Sequence, residues 1–129
     1  ETMSIESTIR ARLLAVTGVT SLVSTKVYLS VLPQNVVLPA IVFNVVRADP
    51  VRAMGGDPGL TEYTVEVEAY SLDADQAQAV STAVFAALNR WTTSGVASCF
   101  STPPTRVGFD QTLRVFSSDT EHEIFYNGA

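Results

Sequence analysis

One cysteine and one histidine are all that this 129-residue chain holds of the two most versatile site-building residues. Cys99 alone makes neither an internal disulfide nor a metal centre, which predicts a reducing assembly compartment and a small buried hydrophobe at that position. Any histidine-dependent nucleophile would have to use His122, and no Gly-x-Ser-x-Gly elbow or His-Glu-x-x-His helix is present. An enzyme is therefore not expected. Charge is scarce as well: 16% of the residues are charged, against about 25% in an average soluble protein. With 47% apolar residues, that shortfall predicts surface covered by other subunits. The eight basic residues form no patch and the net charge is -5, which excludes a protein that grips duplex phosphates. No apolar run of signal-peptide or membrane-span length follows a basic flank, so neither a membrane partner nor the classical secretory route is expected. Glu1 and Thr2 precede Met3 and read as a cloning or processing remnant.

What is present has a clear period. In residues 61–70 (Thr-Glu-Tyr-Thr-Val-Glu-Val-Glu-Ala-Tyr) strict alternation puts Tyr63, Val65, Val67 and Ala69 on one face of a strand and Glu62, Glu66 and Glu68 on the other. Residues 40–47 (Ala-Ile-Val-Phe-Asn-Val-Val-Arg) are apolar on both faces, as in a central strand covered on each side. The two strands should pair through a loop at residues 49–59, rich in Gly and Pro and longer than the usual hairpin connection.

Helical spacing appears twice. Ile5, Ile9, Leu13 and Val16 form one stripe over residues 4–17, with Ser4 as N-cap, Glu6 at the favourable end of the dipole and Gly18 as the stop. A short extended piece at Val27, Tyr28 and Leu29 and a loop through Pro33 and Pro39 should follow. The second helix is expected over residues 73–91, opened by a capping box of Asp73 and Gln76, with Ala77, Val80, Val84, Leu88 and Trp91 buried and Phe85 widening the stripe. Beyond it, residues 96–100 suit a strand, residues 106–116 a longer extended stretch, and residues 121–126 a last strand reached through a turn at Ser117, Ser118 and Asp119. These elements make one α+β domain over residues 1–129, a mostly antiparallel sheet with two main helices packed on it.

The candidate chemical sites are few. Gly55-Gly56-Asp57-Pro58-Gly59 lacks the Gly-Lys-Ser/Thr ending of a phosphate loop and joins strand to strand, so its glycines serve a turn. In Glu121-His122-Glu123 a strand would turn the histidine away from both carboxylates, which predicts no metal site and an exposed or pH-sensitive surface histidine. No cofactor is expected. Glu62, Glu66 and Glu68 are either a solvated surface or an acidic wall in an assembly.

The order of these pieces carries a resemblance. Leu13-Leu14 on an N-terminal helix is followed by Val27-Tyr28, Pro33-Gln34, Leu38-Pro39-Ala40-Ile41-Val42-Phe43, the hairpin loop and Val65-Glu66-Val67-Glu68-Ala69-Tyr70. A helix then opens at Ala74-Asp75-Gln76-Ala77 and ends in Ala86-Ala87-Leu88-Asn89, before a terminal strand pair around Asp119-Thr120. From about Leu13 to Tyr126 the chain resembles the tail terminator family, also called tail completion or tail-to-head joining proteins, of long-tailed bacteriophages and gene transfer agents. The resemblance implies a ring-forming subunit that assembles as a hexamer. Such a ring caps the tail tube, binds the tail tube protein and the head-tail connector or neck protein, and lets DNA pass without specific binding. It implies a place in the virion or phage-like particle, at the tail end next to the neck, with assembly in the bacterial cytoplasm. In such a ring Glu62, Glu66 and Glu68 are candidates to line the channel, while Arg47, Arg52, Met54 and Asp57, in and beside the long loop, are candidates for contact with the tube or a neighbour. A head-completion or neck connector of the same particle, and a small α+β binding domain, are the alternatives.

Overall fold

The structure, a computed structural model, describes residues 5–24, 26–29, 37–50, 61–92, 96–102, 107–112 and 114–126. In chain order the elements are α1 (Ile5–Ala15), α2 (Thr17–Val23), β1 (Val27–Leu29), β2 (Ala40–Pro50), β3 (Thr61–Ser71), α3 (Ala74–Leu88), β4 (Val96–Thr102), β5 (Val107–Asp110) and β6 (Val115–Tyr126). The strands form an open sheet in the order β1-β2-β3-β6-β4, with β5 on the same flank of β6 as β4. β1 runs parallel to β2 and all other pairings are antiparallel. The α+β class and the mostly antiparallel sheet match the sequence pattern, while the helices among the described residues number three where two were expected.

The alternation of β3 decides which face the helices cover. Val65, Val67 and Ala69 are buried, as are Ser118, Thr120, His122, Ile124 and Tyr126 on β6. Thr8 of α1 is hydrogen-bonded to Tyr126, and Ser81 of α3 to Ser118 at 2.7 Å, so the helices lie over this set of side chains. Ile9, Leu13, Val19, Val23, Val80, Val84 and Leu88 from the three helices complete the core with Ile41 and Phe43 of β2. Residues 40–43 of β2 are buried on both faces, as expected, but Val46, Arg47 and Ala48 are exposed because no described element covers that half of the strand.

Local differences from the sequence pattern have local causes. Gly18 does not stop the first helix. The break comes at Val16, whose extended backbone (φ -93°, ψ 116°) starts α2, and Gly18 lies inside α2. That helix ends at Ser24, which takes a positive φ (58°, with ψ -122°) and donates its N–H to the Thr20 carbonyl at 2.8 Å. Ser4 lies outside the described residues. At α3 the capping box does not form: Asp73 makes no side-chain cap, and Gln76 instead accepts a hydrogen bond from the Ser71 hydroxyl at 2.6 Å. Ser71 is fully buried and uses the same oxygen to accept the Asp73 N–H, so the end of β3 sets the start of the helix.

The other end of α3 stops at Leu88, short of the expected Trp91, although Trp91 is buried. Arg90 adopts φ 61° there and gives its N–H to the Cys99 carbonyl at 2.8 Å, which ties the turn to β4. Arg12 donates from Nε to the Ala87 carbonyl at 2.9 Å and sets its guanidinium 5.8 Å from the centre of the Trp91 ring. A left-handed backbone is costly for a residue with a Cβ, so Arg90→Gly is expected to stabilise the fold by about 0.5–1 kcal/mol. Urea unfolding checks this; a lower midpoint would mean that the Arg90 side chain contributes more than its backbone costs.

The last third of the chain departs most from expectation. Residues 106–116 are not one extended stretch: β5 ends at Asp110, whose side chain accepts the Thr112 N–H at 2.9 Å in a turn that also holds Arg114 at φ 56°. Ser117, Ser118 and Asp119 are not a turn but the interior of β6, a strand of 12 residues. Their small polar side chains suggested a turn. Ser118 is buried because Ser81 satisfies its hydroxyl, and Asp119 faces away from the helices.

Candidate functional site

The face of the sheet opposite the helices collects the acidic side chains. Strand register sets them in rows: Glu68 between Val42 and Asp119, Glu66 between Asn44 and Glu121, Thr64 between Arg47 and Glu123, and Glu62 between Asp49 and Phe125. On the flank, β4 adds Thr102 beside Glu121, Phe100 beside Glu123 and Ser98 beside Phe125. The bulge between Val45 and Arg47 shifts β2 by one residue, which brings Arg47 and Asp49 onto this face. The three glutamates of β3 are thus joined by Asp49, Asp119, Glu121 and Glu123, with Arg47 as the one basic side chain in these rows.

Like charges oppose each other here. Glu66 stands across from Glu121 and Glu68 across from Asp119, an arrangement that costs stability in an isolated sheet. Partial burial, followed by the charges of Glu68, Asp119 and Glu121, raises the Glu66 carboxyl above its usual range. The Tyr70 hydroxyl donates to Glu68 Oε2 at 2.5 Å; burial first, then that bond and the nearby carboxylates, hold the phenol well above its ordinary range. Arg47 Nε meets Asp49 Oδ2 at 2.7 Å, but the side chains are 72% and 50% exposed, so the pair contributes at most about 1 kcal/mol and exchanges readily.

Alternate residues on one strand stand roughly 7 Å apart and neighbouring strands about 4.8 Å apart, so these carboxylates spread as a negative plate and do not converge on a point. Among the described residues no group of three His, Cys, Asp or Glu side chains is placed to hold a metal ion. A surface of this kind acts by its field: it repels polyanions and attracts basic surfaces.

Of the residues singled out from sequence, Glu62, Glu66 and Glu68 do share one face, and Arg47 lies beside them on β2. Arg52, Met54 and Asp57 lie outside the described residues. Asp119, Glu121 and Glu123 join the same face, which the sequence pattern does not announce. Reading residues 115–126 as one strand would have found them at alternate positions, but the polar partners Ser118, Thr120 and His122 hid the inward period.

His122 requires a correction. It is not a surface residue: it points inward, away from Glu121 and Glu123, and is 0% exposed. Its Nδ1 lies 2.6 Å from the Ser101 hydroxyl and its Nε2 2.8 Å from the Thr120 hydroxyl, so both ring nitrogens are satisfied within the core. Burial pushes its pKa down to about 4 from 6.5. Cys99 is buried as expected; burial, opposed by its contact with Ser101, pushes the thiol up to about 11, leaving it a poor nucleophile.

Residues 7–124 match the family model described as tail completion protein gp17. A chain from a solved structure described as the virion of a native gene transfer agent (GTA) particle superimposes with a TM-score of 0.74. The two are 14% identical, and the alignment covers 92% of this chain and 90% of that one. No curated protein sequence matches significantly. At that identity the structural likeness establishes a shared fold.

Proposed function

The chain belongs to the tail completion protein gp17 family, and from that premise we propose that it closes the tail tube as a ring whose open acidic sheet faces line the DNA channel. Membership makes it a structural protein of a phage tail or phage-like particle. The ring, its sixfold count, the joining of tube to neck and the inward direction of the acidic face are the parts proposed. One observation supports the direction: the carboxylates of β2, β3 and β6 lie together on the sheet face opposite the helices, with like charges set opposite each other. Such repulsion has a use where a polyanion must slide past without being held. Lys and Arg in the same rows would grip phosphates through counterion release, whereas a carboxylate wall offers them no such contact.

Charge reversal tests this reading. In particles carrying Glu62→Lys, Glu66→Lys and Glu68→Lys together, DNA ejection is expected to slow at least tenfold at low salt, with recovery as salt rises. Ejection unchanged in rate and salt dependence would place the acidic face outside the channel. The segment containing Arg52, Met54 and Asp57 is proposed to touch the tube or a neighbouring copy, and particles lacking residues 52–57 separate that role from the channel role through tail length and head attachment.

A further inference from the structure

A closed ring joined head to tail needs two unlike surfaces that fit each other, and the sheet carries them on opposite flanks. Val46 of β2 (55% exposed) stands on one flank, and Phe100 of β4 (58%) on the other. Single exposed apolar side chains are ordinary on a protein surface; what sets these two apart is their register. Register places them level. Arg47, next to Val46, lies in the same row as Thr64, Glu123 and Phe100, so a second copy moved sideways along that row meets Val46 and Arg47 with its Phe100. Charge agrees with shape: the one basic side chain of these rows sits on the β2 flank, and Glu121 and Glu123 sit beside β4 on the other.

We infer that the β2 flank of one copy, beyond its pairing with β1, seats the β4 flank of the next, with Val46 against Phe100 and with Arg47 leaving Asp49 for Glu123 of the neighbour. The partner is a second copy of this chain, and the assignment rests on the ring proposed above. Phe100 already packs edge-on against Phe125 at 6.5 Å, so it meets the neighbour as a pre-positioned aromatic anchor. Because the contact joins sheet edges in one row, it keeps the acidic face of every copy on the same side of the ring.

The test uses particles built with the full chain carrying Val46→Cys and Phe100→Cys in a Cys99→Ala background. Mild oxidation is expected to give a ladder of covalent oligomers on a denaturing gel, while either single substitution gives none. A Phe100→Ser chain is expected to keep its melting temperature within a few degrees and to lose ring formation roughly tenfold or more, whereas Leu72→Ser, 72% exposed but away from both flanks, changes neither. If native mass measurement of the ring released from particles gives a hexamer but no ladder forms, the flank assignment falls and the ring stands. Dimers linked through Val46→Cys alone would overturn both.

Discussion

Lowering the pH from 7 to 4 is expected to remove about 3 kcal/mol of folding stability through His122 alone. The unfolded chain binds a proton on this imidazole near pH 6.5, whereas the folded chain, with the ring fully buried, resists it until about pH 4. Between those values the unfolded state holds more protons, so stability rises with pH. The contribution is complete above about 6.5 and drains away as pH falls towards 4. Glu66 works in the opposite direction: its raised carboxyl takes up a proton more readily in the folded state, which eases the repulsion from Glu68, Asp119 and Glu121 as acid is added. A loss of about 3 kcal/mol is a large share of the roughly 5–15 kcal/mol that holds a typical domain. Urea unfolding at several pH values checks it against His122→Gln, which cannot titrate. The variant should be about 1–2 kcal/mol less stable at pH 7, since one of the two hydroxyls loses its partner, and should show no such loss from 6.5 to 4, where the raised Glu66 carboxyl acts in the opposite sense. Equal slopes in the two proteins would remove His122 as the cause.

The second large effect comes from Phe43, a fully buried side chain on β2 that pairs across to Leu29 on one side and Val67 on the other. Phe43→Ala is expected to cost about 3–5 kcal/mol, because the cavity it leaves is bounded by strand backbone on both sides and cannot collapse cheaply. Its melting temperature should drop by more than about 10 °C. Val46→Ala, three residues along the same strand but 55% exposed, should stay within about 0.5 kcal/mol. The contrast isolates burial as the cause, since the two positions share a strand and differ in what covers them. A Phe43 variant within 1 kcal/mol of the parent would mean that the helices reseat on β2 when the ring is gone.

Much of this architecture is legible wherever one face of an element meets apolar neighbours. The β2–β3 hairpin, the α3 stripe through Ala77, Val80, Val84 and Leu88, and the first turns of α1 all announce themselves by period. What escapes the sequence is structure specified by partners distant in the chain. Ser118, Thr120 and His122 read as surface because they are polar, and they are core because Ser81 and Ser101 lie opposite them. The same polar run disguised β6 as a turn followed by a short strand, and so left Asp119, Glu121 and Glu123 out of the acidic face. The break at Val16 was hidden by an apolar stripe that continues through it, and the unused capping box by a serine two residues upstream of Asp73. The tail completion assignment did not depend on these details, since order and spacing along the chain carried it.

The pairing of β3 with β6 joins Thr61 to Tyr126 at one end of the sheet and Ser71 to Phe116 at the other. During synthesis the middle strand of this sheet therefore waits, with one edge unfilled, until residues 115–126 have left the ribosome. Long-range strand pairing of this kind closes on a scale of milliseconds to seconds, late compared with the local helices. A chain interrupted before Val115 lacks the carboxylates of β6 and any strand to hold β4 in place. Under the arrangement proposed above, a copy without β6 would keep the β2 flank and lose the β4 flank, and so could take part in only one of its two contacts.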